Sequence, residues 1–135
     1  MTKTVLITGA TKGIGLAACK KMAELNYRVV GIARKEPSSF PGTLFICDLS
    51  NIEQTADTIK KIRNQYSIDA IVNNVGIAHP QPLGSISLPL LHEVYDLNVR
   101  SAVQITQGFI AIMKEKQWGR IVNVSSRAIC GIPNR

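Results

Sequence analysis

The sequence predicts an α/β domain built on a doubly wound parallel sheet, and three observations carry that prediction. Short segments rich in β-branched residues and apolar on both faces recur along the chain. Longer segments with a helical period separate them. The first strand runs straight into a turn with Gly9, Gly13 and Gly15, and the first helix opens there. Strands apolar on both faces suit a parallel sheet covered on two sides.

Residues 5–8 form the first strand. Ile14, Ala17, Ala18, Met22 and Leu25 then recur at i, i+3, i+4, i+8 and i+11, which makes 14–25 a helix with one apolar stripe. Residues 29–32 and 44–47 are the second and third strands. Ser50 and Glu53 stand at capping-box spacing, so an amphipathic helix follows through Ile52, Ala56, Ile59 and Ile62 or Arg63. The fourth strand is 70–72. Residues 76–89 hold three prolines and two glycines without a period, and loops of that length are often functional. Pro89 stands near the start of another helix, where its missing N–H costs nothing. Leu97, Ala102, Ile105, Phe109, Ile112 and Met113 extend a long helix that ends before Gly119, and 121–124 is the fifth strand. Alternation of this kind gives parallel strands joined by right-handed crossovers.

A chain of 135 residues with 45% apolar content buries one real core, so a single domain over 1–135 is expected. The N-terminus has Lys3 and then only Val5, Leu6 and Ile7 before Thr8, too short an apolar run for a signal peptide. No apolar run approaches the roughly eighteen residues of a membrane span. A cytoplasmic protein without a membrane partner is the expectation. Cys19, Cys47 and Cys130 are widely spaced and make no metal-ligating pattern with His79 and His92, so no metal is expected. The 16 basic and 9 acidic residues give a net charge of +7, but Lys20, Lys21, Arg34, Lys35, Lys60, Lys61 and Arg63 are spread over different segments. With 5% aromatic residues there is little to stack on bases. Nucleic acid is therefore not an expected partner, and solvated helix faces account for most of the charge.

In a doubly wound sheet the first strand-to-helix turn faces the ligand crevice, and the helix offers unpaired N–H groups and a positive dipole end there. Gly9 starts the sharp turn, Gly13 puts no side chain before a phosphate, and Gly15 lets the helix pack closely on the strands. The spacing is GxxxGxG, so neither the GxGxxG fingerprint nor a P-loop is present.

"TGATKGIG" at the start of a Rossmann-type domain resembles the short-chain dehydrogenases/reductases, and further motifs follow in that family's order. "NNVG" at residues 73–76 is similar to the family's NNAG, with Val75 for the usual alanine. Asn98 in "DLNV" and "IVNVSS" at 121–126 are the other matches. Each has a plain alternative: Asn73 and Asn74 as turn formers, Asn98 as a helix residue bonded to nearby backbone, Ser125 or Ser126 as a capping hydroxyl. Four motifs in register at the C-terminal ends of strands favour the resemblance.

The resemblance implies an oxidoreductase that moves hydride between a nicotinamide dinucleotide and a small alcohol or carbonyl, a 3-oxoacyl-type reductase being one form. It implies a cofactor site from Gly9, Thr11, Lys12, Gly13, Ile14 and Gly15 in the turn, Asn74 and Gly76 after the fourth strand, and Asp48 and Leu49 after the third. Asp48 meets the adenine ring by the resemblance; its alternative role is to cap the next helix. Asn98 takes a proton-relay role, and Ser126, the second of the serine pair, holds the reacting oxygen. The second strand ends "VVGIARKE", with Arg34 and Lys35 where an NAD enzyme of this architecture carries an acid, and Lys12 is a further cation nearby. Cations suit a 2′-phosphate, so NADP(H) is favoured over NAD(H), with Glu36 as the opposing residue.

The family's acid is a tyrosine in a Tyr-x-x-x-Lys motif a dozen or so residues after the serine. Tyr27, Tyr66 and Tyr95 all precede Ser126, and the residues four beyond them are Gly31, Ala70 and Val99. The expectation is a Rossmann domain incomplete at its C-terminus, inactive alone, with a continuation or companion fragment that completes the sheet and with homo-oligomers of the whole protein. The fifth strand is then an uncovered edge with apolar residues exposed. The alternative is a non-catalytic dinucleotide-binding or assembly module that lacks the tyrosine and lysine.

Overall fold

The computed structural model describes residues 2–131. Five strands, β1 (Thr4–Thr8), β2 (Arg28–Ala33), β3 (Thr43–Ile46), β4 (Ala70–Asn73) and β5 (Arg120–Asn123), form one sheet in the order β3-β2-β1-β4-β5. All four pairings are parallel, with Leu6 opposite Val30 and Ile71, and Val72 opposite Val122. Helices α1 (Gly13–Glu24), α2 (Ile52–Gln65), α3 (Leu88–Tyr95) and α4 (Ser101–Glu115) lie between the strands. The order of strands reverses beside β1. The crevice of such a sheet lies there, beyond the strands' C-terminal ends.

The pleat of β1 divides the core between two faces. Val5 and Ile7 join Cys19, Val29 and Ala70 under α1, while Leu6 joins Ile59, Ile62, Ile71, Ile105 and Phe109 under α2 and α4. Helices on both faces explain why the strands read as continuous apolar runs.

Two helix faces differ from the periodicity. On α1 the buried residues are Gly15 and Cys19, with Ala18, Met22 and Ala23 packed beside them, while Ile14 and Leu25 are exposed. The small residues let the helix lie close to the strands, and that rotates the larger ones out. On α2 the buried face is Thr55, Thr58, Ile59 and Ile62, and Ala56 is exposed. The cap is Asn51, whose side chain accepts from the Gln54 amide at 2.9 Å, in place of the Ser50–Glu53 box. Ser50 is held instead by Asp48, whose Oδ1 accepts from its amide at 3.0 Å and its hydroxyl at 2.8 Å.

The long helix expected from Leu97 onward is interrupted at its start. Between α3 and α4, Asp96–Arg100 makes a wide turn of π type, closed by the Ser101 amide on the Asp96 carbonyl. The fully buried Ser101 hydroxyl donates to the Leu97 carbonyl at 2.5 Å, which satisfies a carbonyl that the wide turn leaves over. At the far edge β5 is exposed along its length, Val122 by 52%.

Candidate cofactor and active site

The site begins where β1 ends. Gly9 (φ 65°) and Gly13 (φ 51°) both lie in the left-handed region that glycine enters without strain. A Cβ at Gly15 would overlap the Gly9 carbonyl and come within 2.6 Å of Asn74 Nδ2, so only glycine fits. At Gly13 a Cβ would meet nothing within 4 Å, because that position faces open space. No side chain caps the first turn of α1, whereas Asn51 and Ser87 cap α2 and α3. The amides of the α1 first turn are therefore left for another partner.

Thr8 and Asn74 lock the turn to the end of β4. The Thr8 hydroxyl accepts from the amides of Asn74 at 2.9 Å and Val75 at 3.1 Å. Asn74 Nδ2 returns bonds to the carbonyls of Thr8 at 3.0 Å and Gly9 at 3.3 Å. Thr8 opens the TGATKGIG motif, but the motif reading gives it no role. Its signal in the sequence is a hydroxyl at the last position of a strand that must pair on both sides.

A cavity of about 550 Å³ lies over this turn. Gly9, Thr11, Lys12, Gly13 and Ile14 line one side, and Asn74 and Gly76 another. Arg34 and Lys35, directly after β2, and Asp48 and Leu49, beyond β3, line the far end; Glu36 does not line it. Gly15 lies outside this lining, buried behind the turn. The hydrogen bonds of the Ser50 amide and hydroxyl, and then the charge of Arg34, hold the Asp48 carboxyl below the usual carboxylate range. Cys47 also borders the cavity, with its thiol pKa raised by burial. Burial in the α1 layer pushes the Cys19 thiol up to about 11.

A second cavity, of about 930 Å³, adjoins the first through Ile14 and residues 74–77, which border both. Asn98, Ser125 and Ser126 line it with Thr106 and Asn123, and Val99, Val103, Ile121 and Val124 give it apolar walls. Asn98 sits on the wide turn. Its Oδ1 accepts from the Ile77 amide and its Nδ2 donates to the Ile77 carbonyl, each at 2.8 Å. This is backbone bonding, as the plain alternative had it, but to a segment 21 residues away.

Ser126 caps a short turn over Arg127–Cys130, its Oγ accepting from the Ala128 amide at 3.2 Å. That bond uses a lone pair and leaves the hydroxyl proton free to donate. On the floor, Asn73 Nδ2 donates to Asn123 Oδ1 at 2.8 Å and to Thr106 Oγ1 at 3.3 Å, while Asn73 Oδ1 is buried without a partner. No tyrosine lines either cavity; Tyr95 borders a further hollow with His79 and His92, which meets the first cavity at Arg34, Asp48, Ile77 and Leu97. Among the described residues no three His, Cys, Asp or Glu side chains gather at metal-ligating spacing, and no helix is long and apolar enough to cross a membrane.

Fold and crevice together define a Rossmann-type framework. A family model for short chain dehydrogenases matches residues 3–131, and the chain belongs to that family. It is 33% identical over 137 residues to a Haemophilus influenzae protein described as a probable NADP-dependent dehydrogenase, covering 94% of this chain and 54% of that protein. It is 32% identical over 145 residues to dehydrogenase/reductase SDR family member 11 of Bos taurus, covering 96% of this chain and 56% of the relative. Among solved structures it is similar to a candidate NAD(P)-dependent gluconate 5-dehydrogenase of Beutenbergia cavernae with NADP bound at low occupancy. That match has a TM-score of 0.85 and 26% identity, over 93% of this chain and 54% of the other. The chain thus spans about half the length of the relatives it matches.

Proposed function

We propose that the chain forms the NADP(H)-binding half of a short-chain dehydrogenase/reductase that interconverts an alcohol and a carbonyl. The observation that carries this reading is the continuity of the two cavities: cations at one end, Asn98 and Ser126 at the other, and the glycine turn between. The residues fit a dinucleotide. Gly13 opens onto free space beside the uncapped first turn of α1, which suits a pyrophosphate, and Arg34, Lys35 and Lys12 suit a 2′-phosphate. Asp48 and Leu49 would border the adenine.

NADP(H), when bound, supplies or accepts the hydride. Ser126 would hold the reacting oxygen by a hydrogen bond from its hydroxyl, without giving up the proton, with Oγ oriented by the Ala128 amide. Asn98 spends its carboxamide oxygen and one N–H on Ile77, which orders the wall between the cavities and leaves one N–H for a relayed water. The acid that protonates the alkoxide is a tyrosine paired with a lysine, contributed from outside these residues. The half-length match to the relatives and the uncovered apolar β5 support that completion.

The test is calorimetric titration with NADPH and NADH. NADPH should bind more tightly by about 1–3 kcal/mol through charge-assisted contacts, and Arg34→Asp should reverse the order. Equal dissociation constants in the wild type would sink the cofactor assignment. In a longer protein carrying the tyrosine and lysine, Ser126→Ala should lower turnover strongly at unchanged NADPH affinity, and Ser125→Ala should do so less.

A further inference from the structure

Arg100 lies two residues beyond Asn98 on the wide turn, and its guanidinium is shared among three acceptors. Nε and Nη2 donate to the two carboxylate oxygens of Asp96 at 2.7 Å each. Nη2 also donates to the Leu49 carbonyl at 2.6 Å, and Nη1 donates to Gln104 Oε1 at 2.6 Å. Gln104 in turn donates from Nε2 to the Ile52 carbonyl at 2.9 Å, at the start of α2. Leu49 is 3% exposed and borders the adenosine end of the crevice with Asp48. One planar side chain thus connects the loop after β3 to the turn that carries Asn98. A lysine ammonium lacks the planar fork and cannot reproduce this set.

We propose that Arg100 is a positioning residue that couples order at the adenosine end of the crevice to the Asn98–Ile77 clamp beside the active cavity. It rests on the dinucleotide reading of the crevice for its functional meaning, while the coupling itself is a property of the ligand-free chain. Without the guanidinium fork the Leu49 carbonyl loses its donor, Asp96 loses its two-point partner on the wide turn, and Asn98 is freed to move with that turn. Both ends loosen together. Adenosine bound against Leu49 does the reverse and tightens the clamp.

Amide hydrogen exchange on the ligand-free chain tests this. In Arg100→Lys the amides of Ile77 and Ser50 should both exchange about ten-fold faster or more, as expected for a lost charged hydrogen bond, while Ile7 in β1 exchanges as in the wild type. Lys116→Met, which removes the 2.6 Å pair with Asp69 at the other end of the sheet, should leave Ile77 and Ser50 unchanged. Acceleration of every amide alike would reduce Arg100 to a stabilising contact. Acceleration at Ser50 or Ile77 alone, or at neither, would overturn the coupling. A second arm adds adenosine 2′,5′-bisphosphate. Slower Ile77 exchange in the wild type and none in Arg100→Lys supports the functional meaning, and a probe that protects neither Gly13 nor Ser50 in the wild type refutes the dinucleotide reading itself.

Discussion

The Asn98 carboxamide closes a reciprocal pair of 2.8 Å hydrogen bonds with the two backbone groups of Ile77. Gly76 belongs to the same contact, since a Cβ there would stand 3.3 Å from Asn98 Oδ1. Both partners reach solvent, so water replaces part of what a substitution removes. Asn98→Leu should therefore cost only about 1 kcal/mol in urea unfolding. Asn98→Asp keeps the acceptor for the Ile77 amide but sets a carboxylate against the Ile77 carbonyl, and it should be no more stable than the leucine variant.

The two glycines of the turn should separate folding from binding. Gly15→Ala drives a methyl into the Gly9 carbonyl and Asn74, so the turn must shift and the melting temperature should fall by several degrees, as for about 1–3 kcal/mol of overpacking. Gly13→Ala meets no atom and bears only the strain of φ 51°, about 1 kcal/mol, but it puts a methyl at the mouth of the crevice. Its loss should be the larger in NADPH affinity and the smaller in melting temperature. The opposite ranking would exchange the roles given to the two positions.

The parallel sheet was legible because its inner strands β1, β2 and β4, covered on both faces, carry unbroken apolar runs, while Asn74, Gly76, Asn98 and Ser126, read from motifs, all lie along the two adjoining cavities. The buried face of α2 was misread at Thr55 and Thr58. Their hydroxyls count as polar in a periodicity, yet Thr55 bonds the Asn51 carbonyl at 2.6 Å and is fully buried. The wide turn at Asp96–Arg100 was illegible for a related reason: a π-type turn adds one residue to a helix whose dihedral angles stay ordinary, so no composition signal marks it. Arg100 and Gln104 stand in no motif and carry no signal in the sequence. Their partners, Leu49 and Ile52, are 51 and 52 residues away, and only the packing of α4 on α2 reveals them.

Acid should weaken the brace around Arg100. The hydrogen bonds of Arg100 hold the Asp96 carboxyl below its ordinary value of 3.8. A depressed folded value means the stabilisation is present in full above pH 3.8 and is lost as pH falls through the folded pKa. The Asp96 side chain is 35% exposed, so solvent screening limits the contribution to about 1 kcal/mol at neutral pH. Asp96→Asn should lower stability near pH 7 and flatten its decline between pH 5 and 2, measured by urea unfolding across that range. The slope that remains belongs in part to Asp48, whose carboxyl is shifted in the same direction.

The last prediction concerns β5. Ile121, Val122 and Val124 are 38%, 52% and 39% exposed, values foreign to a strand paired in parallel with the centre of a covered sheet. Among the described residues no strand pairs with the outer edge of β5 beside that apolar surface, and such an edge templates pairing with another chain. Residues 1–135 expressed alone should accordingly self-associate as concentration rises. A charge on the strand opposes edge pairing, so Val122→Lys should shift the chain toward monomer in sedimentation velocity with little change in melting temperature, because Val122 has little burial to lose. Ala17→Lys, on the exposed face of α1, adds the same single positive charge and should not have this effect. A wild-type chain that stays monomeric at high concentration, or an Ala17→Lys variant that suppresses association as well as Val122→Lys does, would refute the assignment of β5 as the sticking edge.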